Sequence, residues 1–238
     1  MFEEAFQTLT AKRGRPLIFG HRGSPQHAVE NTLASFRLAL EEGADGVEVD
    51  AQQTADGILV AHHDEQLSSG ESLAALSFET LVQRARESGS EVTTIADVFQ
   101  VLAGRGLVNI ELKTTGFEEQ IIKLAGDILP TDSYAFSSFD PRAVFWCRRH
   151  APDVPALLIT IGPRDGQSDL ELLAQMDASG IACEGQYLTD DLARFFRSHH
   201  LPLFVWTVNE VAEAKRLAAA GVTGLISDVP GELVKAFG

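Results

Sequence analysis

Short apolar runs, each followed by a stretch with apolar residues at helical spacing, recur along the chain in the pattern of βα units around a parallel sheet. They fall at about Leu17–Gly20, Gly46–Asp50, Ile58–His62, Leu107–Leu112, Tyr134–Ser137, Ala156–Thr160, Ile181–Glu184, Leu203–Thr207 and Gly224–Ser227, bounded by Gly, Pro and acidic residues. Nine runs are one too many for an eight-stranded barrel. Only Ala51–Gly57 separates the second from the third, too little chain for a crossover helix, and Asp56-Gly57 is a hairpin signal. The third run should therefore return antiparallel on the second, with Ile58 opposite Gln53 and His63 opposite Glu48. Eight parallel strands remain, which predicts an α/β fold, a (β/α)8 TIM barrel. Leu33, Phe36 and Leu40, then Ala214, Leu217 and Ala218, mark the buried faces of two of its helices. Between about residues 64 and 90 the rhythm loosens into Ser, Gly and Glu with Leu73, Leu76 and Phe78 among them. That stretch reads as a small insertion within a single domain covering residues 1–238.

Composition narrows the class of partner. Hydrophobic residues make up 45% and charged residues 22%, globular proportions, and 19 basic against 34 acidic residues leave a net charge of −15. Such a surface repels nucleic acid and anionic lipid, so neither nucleic-acid binding nor stable membrane association is expected. The apolar runs end well short of a membrane span, and the opening MFEEAFQTLTAKRGRP lacks the apolar stretch of a secretion signal. Cys147 and Cys183 are the only cysteines, in no CxxC pair, and two unpaired thiols suit a cytoplasmic location.

In a parallel barrel, functional groups collect where strands end and βα loops begin. The first run ends in Gly20-His21-Arg22-Gly23, the second contains Glu48-Val49-Asp50, the hairpin return ends in His62-His63-Asp64, and the strand after the insertion ends in Glu111-Leu112-Lys113. Alternation puts Glu48 and Asp50 on one side of their strand, and Glu111 and Lys113 on one side of theirs. Inward carboxylates repel one another and need a counter-charge. Lys113 and Arg22 could supply it, and an all-oxygen set of Glu48, Asp50 and Glu111 also suits a hard divalent ion: Mg²⁺ or Ca²⁺, with Mn²⁺ a further candidate. His63, brought back by the hairpin, and His21, from the neighbouring strand end, would flank that ion as a proton-transfer pair. Alternation turns His62 the other way. The fixed charges of Arg22 and Lys113 suit an anionic group, and a small phosphodiester is the obvious substrate. No Ser, Thr or Cys with a base beside it stands among these motifs, so the attacking group is expected to be water or a substrate hydroxyl.

These motifs resemble those of the glycerophosphodiester phosphodiesterase family, in order and through nearly the whole chain. HRGSPQHAVENTLASF is similar to that family's His-Arg-Gly followed by Glu-Asn-Thr, and GADGVEVDAQQTADGILVAHHDEQL to its Glu-x-Asp and His-Asp segment; NIELK, SSFDP, VWTVN and GVTGLISDVP follow. The resemblance implies a (β/α)8 barrel with a short insertion after the His-Asp motif. It implies that Glu48, Asp50 and Glu111 bind the divalent ion, that His21 and His63 are the acid–base pair, and that Arg22 and Lys113 hold phosphate oxygens. It places Glu30 near the site, and makes Phe139 and Trp206 an apolar wall beside the glycerol carbons. Asn31 reads as a helix N-cap and Glu184, at a later strand end, as a residue behind the site. Val29 stands where the family often has proline, and Leu67-Ser68-Ser69 where many members have Arg-Thr-Thr, which alters the loop facing the alcohol.

The expected reaction is metal-dependent hydrolysis of a glycerophosphodiester to sn-glycerol 3-phosphate and an alcohol. One rival is action on lysophospholipids or another phosphodiester, with Leu73, Leu76 and Phe78 lining an apolar groove. Another is a non-catalytic phosphodiester-binding barrel, against which the two histidines weigh because binding needs no proton-transfer pair.

Overall fold

A computed structural model describes residues 9–238; the stretch read against a secretion signal begins in residues 1–8, outside them. In chain order the strands are β1 (Leu17–Gly20), β2 (Gly46–Gln53), β3 (Leu59–Ala61), β4 (Thr93–Thr94), β5 (Leu107–Leu112), β6 (Tyr134–Ser138), β7 (Ala156–Thr160), β8 (Gly180–Glu184), β9 (Leu203–Trp206) and β10 (Gly224–Ser227). The helices are α1 (Leu33–Glu41), α2 (Phe78–Glu87), α3 (Ile95–Leu102), α4 (Glu118–Ile128), α5 (Pro141–His150), α6 (Gln167–Gln175), α7 (Asp190–Ser198), α8 (Val211–Ala220) and α9 (Pro230–Phe237). Eight parallel strands, β1, β2 and β5 to β10, form a ring that closes because β1 pairs with both β10 and β2. This is the (β/α)8 TIM barrel the apolar rhythm predicts.

Period-two alternation divides each strand between two cores. Leu17, Phe19, Ala135, Leu157, Ile159, Ala182, Phe204 and Ile226 pack together inside the ring. Their neighbours Ile18, Phe136, Leu158, Ile181, Val205 and Leu225 pack outward with the helices. Continued two residues past the interior layer, the inward series reaches His21, Ile161, Glu184, Trp206 and Asp228, all at the C-terminal mouth. An apolar plug and a rim that carries His21, Glu184 and Asp228 thus come from the same alternation.

β3 pairs antiparallel with the outer part of β2, as the hairpin signal predicts, but one residue away from the expected register: Gln53 faces Leu59 and Ala51 faces Ala61. The turn is longer because Thr54 closes it, its hydroxyl accepting from the Ile58 N–H at 3.0 Å while its own N–H donates to the Ile58 carbonyl at 3.0 Å. Gly57 takes the left-handed backbone this needs, φ +84°. His63 is therefore not opposite Glu48.

The segment between the hairpin and β5 is more ordered than its loose pattern suggests. It forms α2 and α3, and β4 adds to β3. Leu73 is fully buried with Val60 and Leu81, and Leu76 and Phe78 pack against them. The apolar residues offered above as a lipid groove instead form this segment's own small core.

Candidate active site

The first βα turn is shaped by what lies against it. Arg22 has φ 54° and Gly23 φ 97°, and a Cβ on Gly23 would fall 2.3 Å from the Ser35 hydroxyl. That hydroxyl donates to the Arg22 carbonyl at 3.0 Å and accepts from the Ser24 N–H at 2.8 Å, pinning the loop to α1. The Arg22 N–H is left to donate to Glu48 Oε2 at 2.9 Å. Its guanidinium folds back between Glu30, at 3.0 Å to both oxygens, and Asp50, with Nε 3.1 Å from Oδ2 but not directed for a hydrogen bond.

β2 and β5 pair so that Asp50 lies beside Glu111. Glu48, Asp50 and Glu111 are drawn together, with one oxygen of each within 4.8 Å of the others. Lys113 Nζ lies 2.7 Å from Glu111 and 3.5 Å from Asp50. Burial, together with the charges of Asp50 and Glu111, pushes the Glu48 carboxyl well above its ordinary value. Burial and Asp50 raise Glu111 too, despite Lys113. Burial disfavours the charges of Arg22 and Lys113, yet the surrounding carboxylates outweigh it and raise both. Two cations do not neutralise this cluster, and Glu48 Oε1 is buried with no hydrogen-bond partner among the described residues. An unmet oxygen in an all-carboxylate set is what a hard divalent ion would use, so the residues fit such an ion.

Asn31 is not the N-cap. Thr32 takes that role, accepting from the Ser35 N–H at 3.2 Å. Asn31, at φ 56°, a conformation asparagine tolerates, turns its amide inward and donates to Asp50 Oδ2 at 2.8 Å. Glu30 is exposed and meets the site through Arg22.

His63 reaches the site by a bend rather than by register. The Gln52 amide donates to the carbonyls of His62, His63 and Asp64 at 2.9, 3.1 and 2.8 Å, wrapping the chain around one side chain. Burial raises the Glu111 carboxyl, and a positive charge on His63 would lower it. The partner of His63 is Asp64, which lies 2.7 Å from Nδ1 and whose carboxyl that hydrogen bond holds below its ordinary value. His62 turns away, with Nδ1 2.9 Å from the Asp64 carbonyl.

His21 is held more firmly. Its Nδ1 lies 2.7 Å from Asp228 Oδ1, and Asn209 donates to Asp228 Oδ2 at 2.8 Å. Burial would raise the Asp228 carboxyl, but the bonds from His21 and Asn209 outweigh it and keep it low. Asp228 and Asn209 lie within the motifs ISDVP and WTVN, yet sequence reasoning gave neither a role. The inward alternation of β10, carried two residues past Ile226, was the available signal for Asp228.

Phe139 and Trp206 meet edge to face, ring centroids 5.8 Å apart, with Phe139 46% exposed. Glu184 sits beside Trp206 in register, its carboxylate accepting from Gln186. Cys147 and Cys183 are buried away from the mouth, and burial pushes each thiol up to about 12, which leaves neither as a nucleophile.

Cations, a buried carboxylate cluster and two imidazoles are the kinds of group that splitting a phosphodiester would use. Residues 21–232 match the glycerophosphoryl diester phosphodiesterase family, and the chain belongs to that family of hydrolases. It is 29% identical over 238 residues to a glycerophosphodiester phosphodiesterase of Caldanaerobacter subterraneus, covering 92% of this chain and 97% of that one. A phosphodiesterase of Oleispira antarctica, solved with the product sn-glycerol-3-phosphate, superposes with a TM-score of 0.83 at 25% identity, over 95% of this chain and 98% of that one. The glycerophosphodiester phosphodiesterase of Thermotoga maritima shares the fold, with a TM-score of 0.76 at 24% identity over 92% of this chain and 97% of that one.

Proposed function

We propose that this chain hydrolyses a glycerophosphodiester to sn-glycerol 3-phosphate and an alcohol, with a divalent ion held by Glu48, Asp50 and Glu111 and with His21 and His63 as the proton-transfer pair. What supports the reading is a buried cluster of three carboxylates on strands of the barrel, together with two histidines just past the ends of β1 and β3, each bonded through Nδ1 to an aspartate. A carboxylate accepts only, so each Nδ1 carries the proton and each Nε2 is an acceptor in the neutral ring. One histidine takes a proton from the attacking hydroxyl while the other, protonated, gives one to the leaving oxygen.

When bound, the ion supplies charge stabilisation and acidifies an oxygen; Mg²⁺ or Ca²⁺ suits the oxygen set best and Mn²⁺ also fits. Arg22 and Lys113 bind the phosphate oxygens and take up the charge that grows on them. Phe139 and Trp206 exclude water beside the glycerol carbons. The attacking group in our reading is the glycerol 2-hydroxyl, already tethered near phosphorus, which forms a cyclic phosphate that water then opens. The unpaired thiols and the absence of a membrane-crossing helix among the described residues agree with action in the cytoplasm.

The test is a coupled assay for released glycerol 3-phosphate over several head groups, with and without chelator. Activity on glycerophosphodiesters that disappears on chelation and returns with Mg²⁺, Ca²⁺ or Mn²⁺ is the expected result. Full turnover by exhaustively chelated protein would overturn the metal assignment.

A further inference from the structure

Among the described residues, the barrel interior below the carboxylates is apolar except at Asn109 and Ser137. On β5 the inward series runs Leu107, Asn109, Glu111, and on β6 Ala135, Ser137, Phe139. Asn109 lies beside Glu48 in register and Ser137 beside Glu111, so the two polar residues sit next to the carboxylates on adjacent strands. Both are buried, Asn109 at 5% exposure and Ser137 at 1%. Asn109 Oδ1 and Ser137 Oγ each find no hydrogen-bond partner among the described residues. Two unmet oxygens in a protein interior are costly, and an apolar pair of the same size would avoid the cost.

We propose that Asn109 and Ser137 hold one buried water against the carboxylates and through it position one of them, Glu48 or Glu111, for the divalent ion. Asn109 Oδ1 can only accept, whereas the Ser137 hydroxyl can donate. A water satisfies both: it accepts from the Ser137 O–H, donates one hydrogen to Asn109 Oδ1, and has its second left for a carboxylate oxygen of Glu48 or Glu111. Glu48 Oε2 is already tied to the Arg22 N–H, so a donor from the barrel side would fix the rest of the carboxylate's orientation. Asn109 and Ser137 are thus positioning residues, and the inference rests on the metal reading above.

The experiment is Mn²⁺ titration by electron paramagnetic resonance on wild type, Ser137→Ala and Asn109→Leu, with unfolding midpoints of the metal-free proteins measured in parallel. Removing an outer partner of a metal ligand commonly weakens binding by about 10- to 100-fold. Each variant should therefore bind Mn²⁺ at least about tenfold more weakly, with metal-free midpoints unchanged or raised. Variants that match wild-type affinity within about twofold would overturn this inference alone. A wild type that takes up no Mn²⁺ would overturn it together with the metal assignment. If Asn109→Leu does not fold, Ser137→Ala, which removes a single oxygen, decides. A high-resolution crystal structure should show the water within hydrogen-bond distance of both side chains, and density showing none there would also overturn it.

Discussion

Asp228 holds His21 from a position 207 residues away in the chain, Oδ1 to Nδ1 at 2.7 Å. Asn209 is bound to Asp228 twice over: it donates to Oδ2 at 2.8 Å and accepts from the Asp228 N–H at 2.8 Å. The carboxylate cannot turn, so the imidazole keeps Nε2 toward the mouth. The partner of His63 is different in kind, because Asp64 is 72% exposed and lies next to it in sequence. One imidazole is built into the barrel and the other is carried on a bend.

Asp228→Asn should therefore be the costlier aspartate substitution. An amide can present an N–H to Nδ1 and so favour the wrong tautomer, leaving Nε2 protonated. General acid–base steps are worth about 10²–10⁴ in rate, so kcat should fall by about 10² or more with KM little changed. Asp64→Asn should cost less, about tenfold, since solvent can replace an exposed partner. Steady-state kinetics on glycerophosphodiesters decide, and an Asp228→Asn variant retaining half its kcat would show that Asp228 does not set the His21 tautomer used in the reaction.

The same aspartate sets a pH dependence of stability. Although burial raises it, bonds from His21 and Asn209 leave the Asp228 carboxyl below its ordinary 3.8 in the folded protein. A folded value below the unfolded one means that the unfolded chain binds more protons in that interval. The contribution is thus fully present above pH 3.8 and is lost as pH falls through the lower folded value. In urea titrations, the stability difference between wild type and Asp228→Asn should shrink as pH falls below about 4. A gap that widens in acid would contradict the assignment.

Glu48→Gln separates stability from metal binding. In the metal-free protein Glu48 is buried against Asp50 and Glu111, and removing its charge relieves that repulsion. The variant should therefore melt higher than wild type when both are chelated. It should bind Mg²⁺ or Mn²⁺ more weakly, by about tenfold or more, because an amide oxygen carries no charge for the ion. Calorimetric melts with and without metal read both signs; a variant less stable than wild type when metal-free would show that Glu48 is stabilised by contacts we have not assigned.

Strand positions were legible because alternation is a local property: Leu17–Gly20, Leu107–Leu112, Ala156–Thr160 and Gly224–Ser227 run in the structure where the apolar pattern places them. The carboxylate cluster was legible for the same reason, since Glu48, Asp50 and Glu111 each occupy an inward strand position. What escaped depends on side chains reaching across the fold. Thr54 lengthened the hairpin by closing it through its hydroxyl, and Gln52 wrapped three carbonyls to deliver His63. Asn31 looked like a cap because its neighbours open a helix, but its amide is spent on Asp50, 19 residues on. Leu73 looked exposed because its segment is polar, and only β3 beneath it supplies the surface that buries it.

The route of attack remains to be read from phosphorus itself. Attack by the glycerol 2-hydroxyl followed by water makes two in-line displacements, each inverting, so the net outcome is retention. A single attack by water inverts. Both routes need one proton taken and one given at each step, so the two histidines serve either, and kinetics of histidine variants cannot separate them. The tethered hydroxyl has the large effective concentration of an intramolecular nucleophile, whereas the Ser24 hydroxyl, 3.3 Å from His27 Nδ1, is fully buried and donates to Glu42 Oε2 at 2.8 Å, which closes it to substrate. A glycerophosphodiester made chiral at phosphorus with sulfur and oxygen isotopes should therefore yield glycerol phosphate of retained configuration. A 2-deoxy substrate, lacking the internal nucleophile, should lose turnover by several orders of magnitude while still competing for the site. Inversion, or rapid hydrolysis of the 2-deoxy compound, would eliminate the cyclic intermediate and leave direct attack by water, with the metal and histidine assignments unaffected.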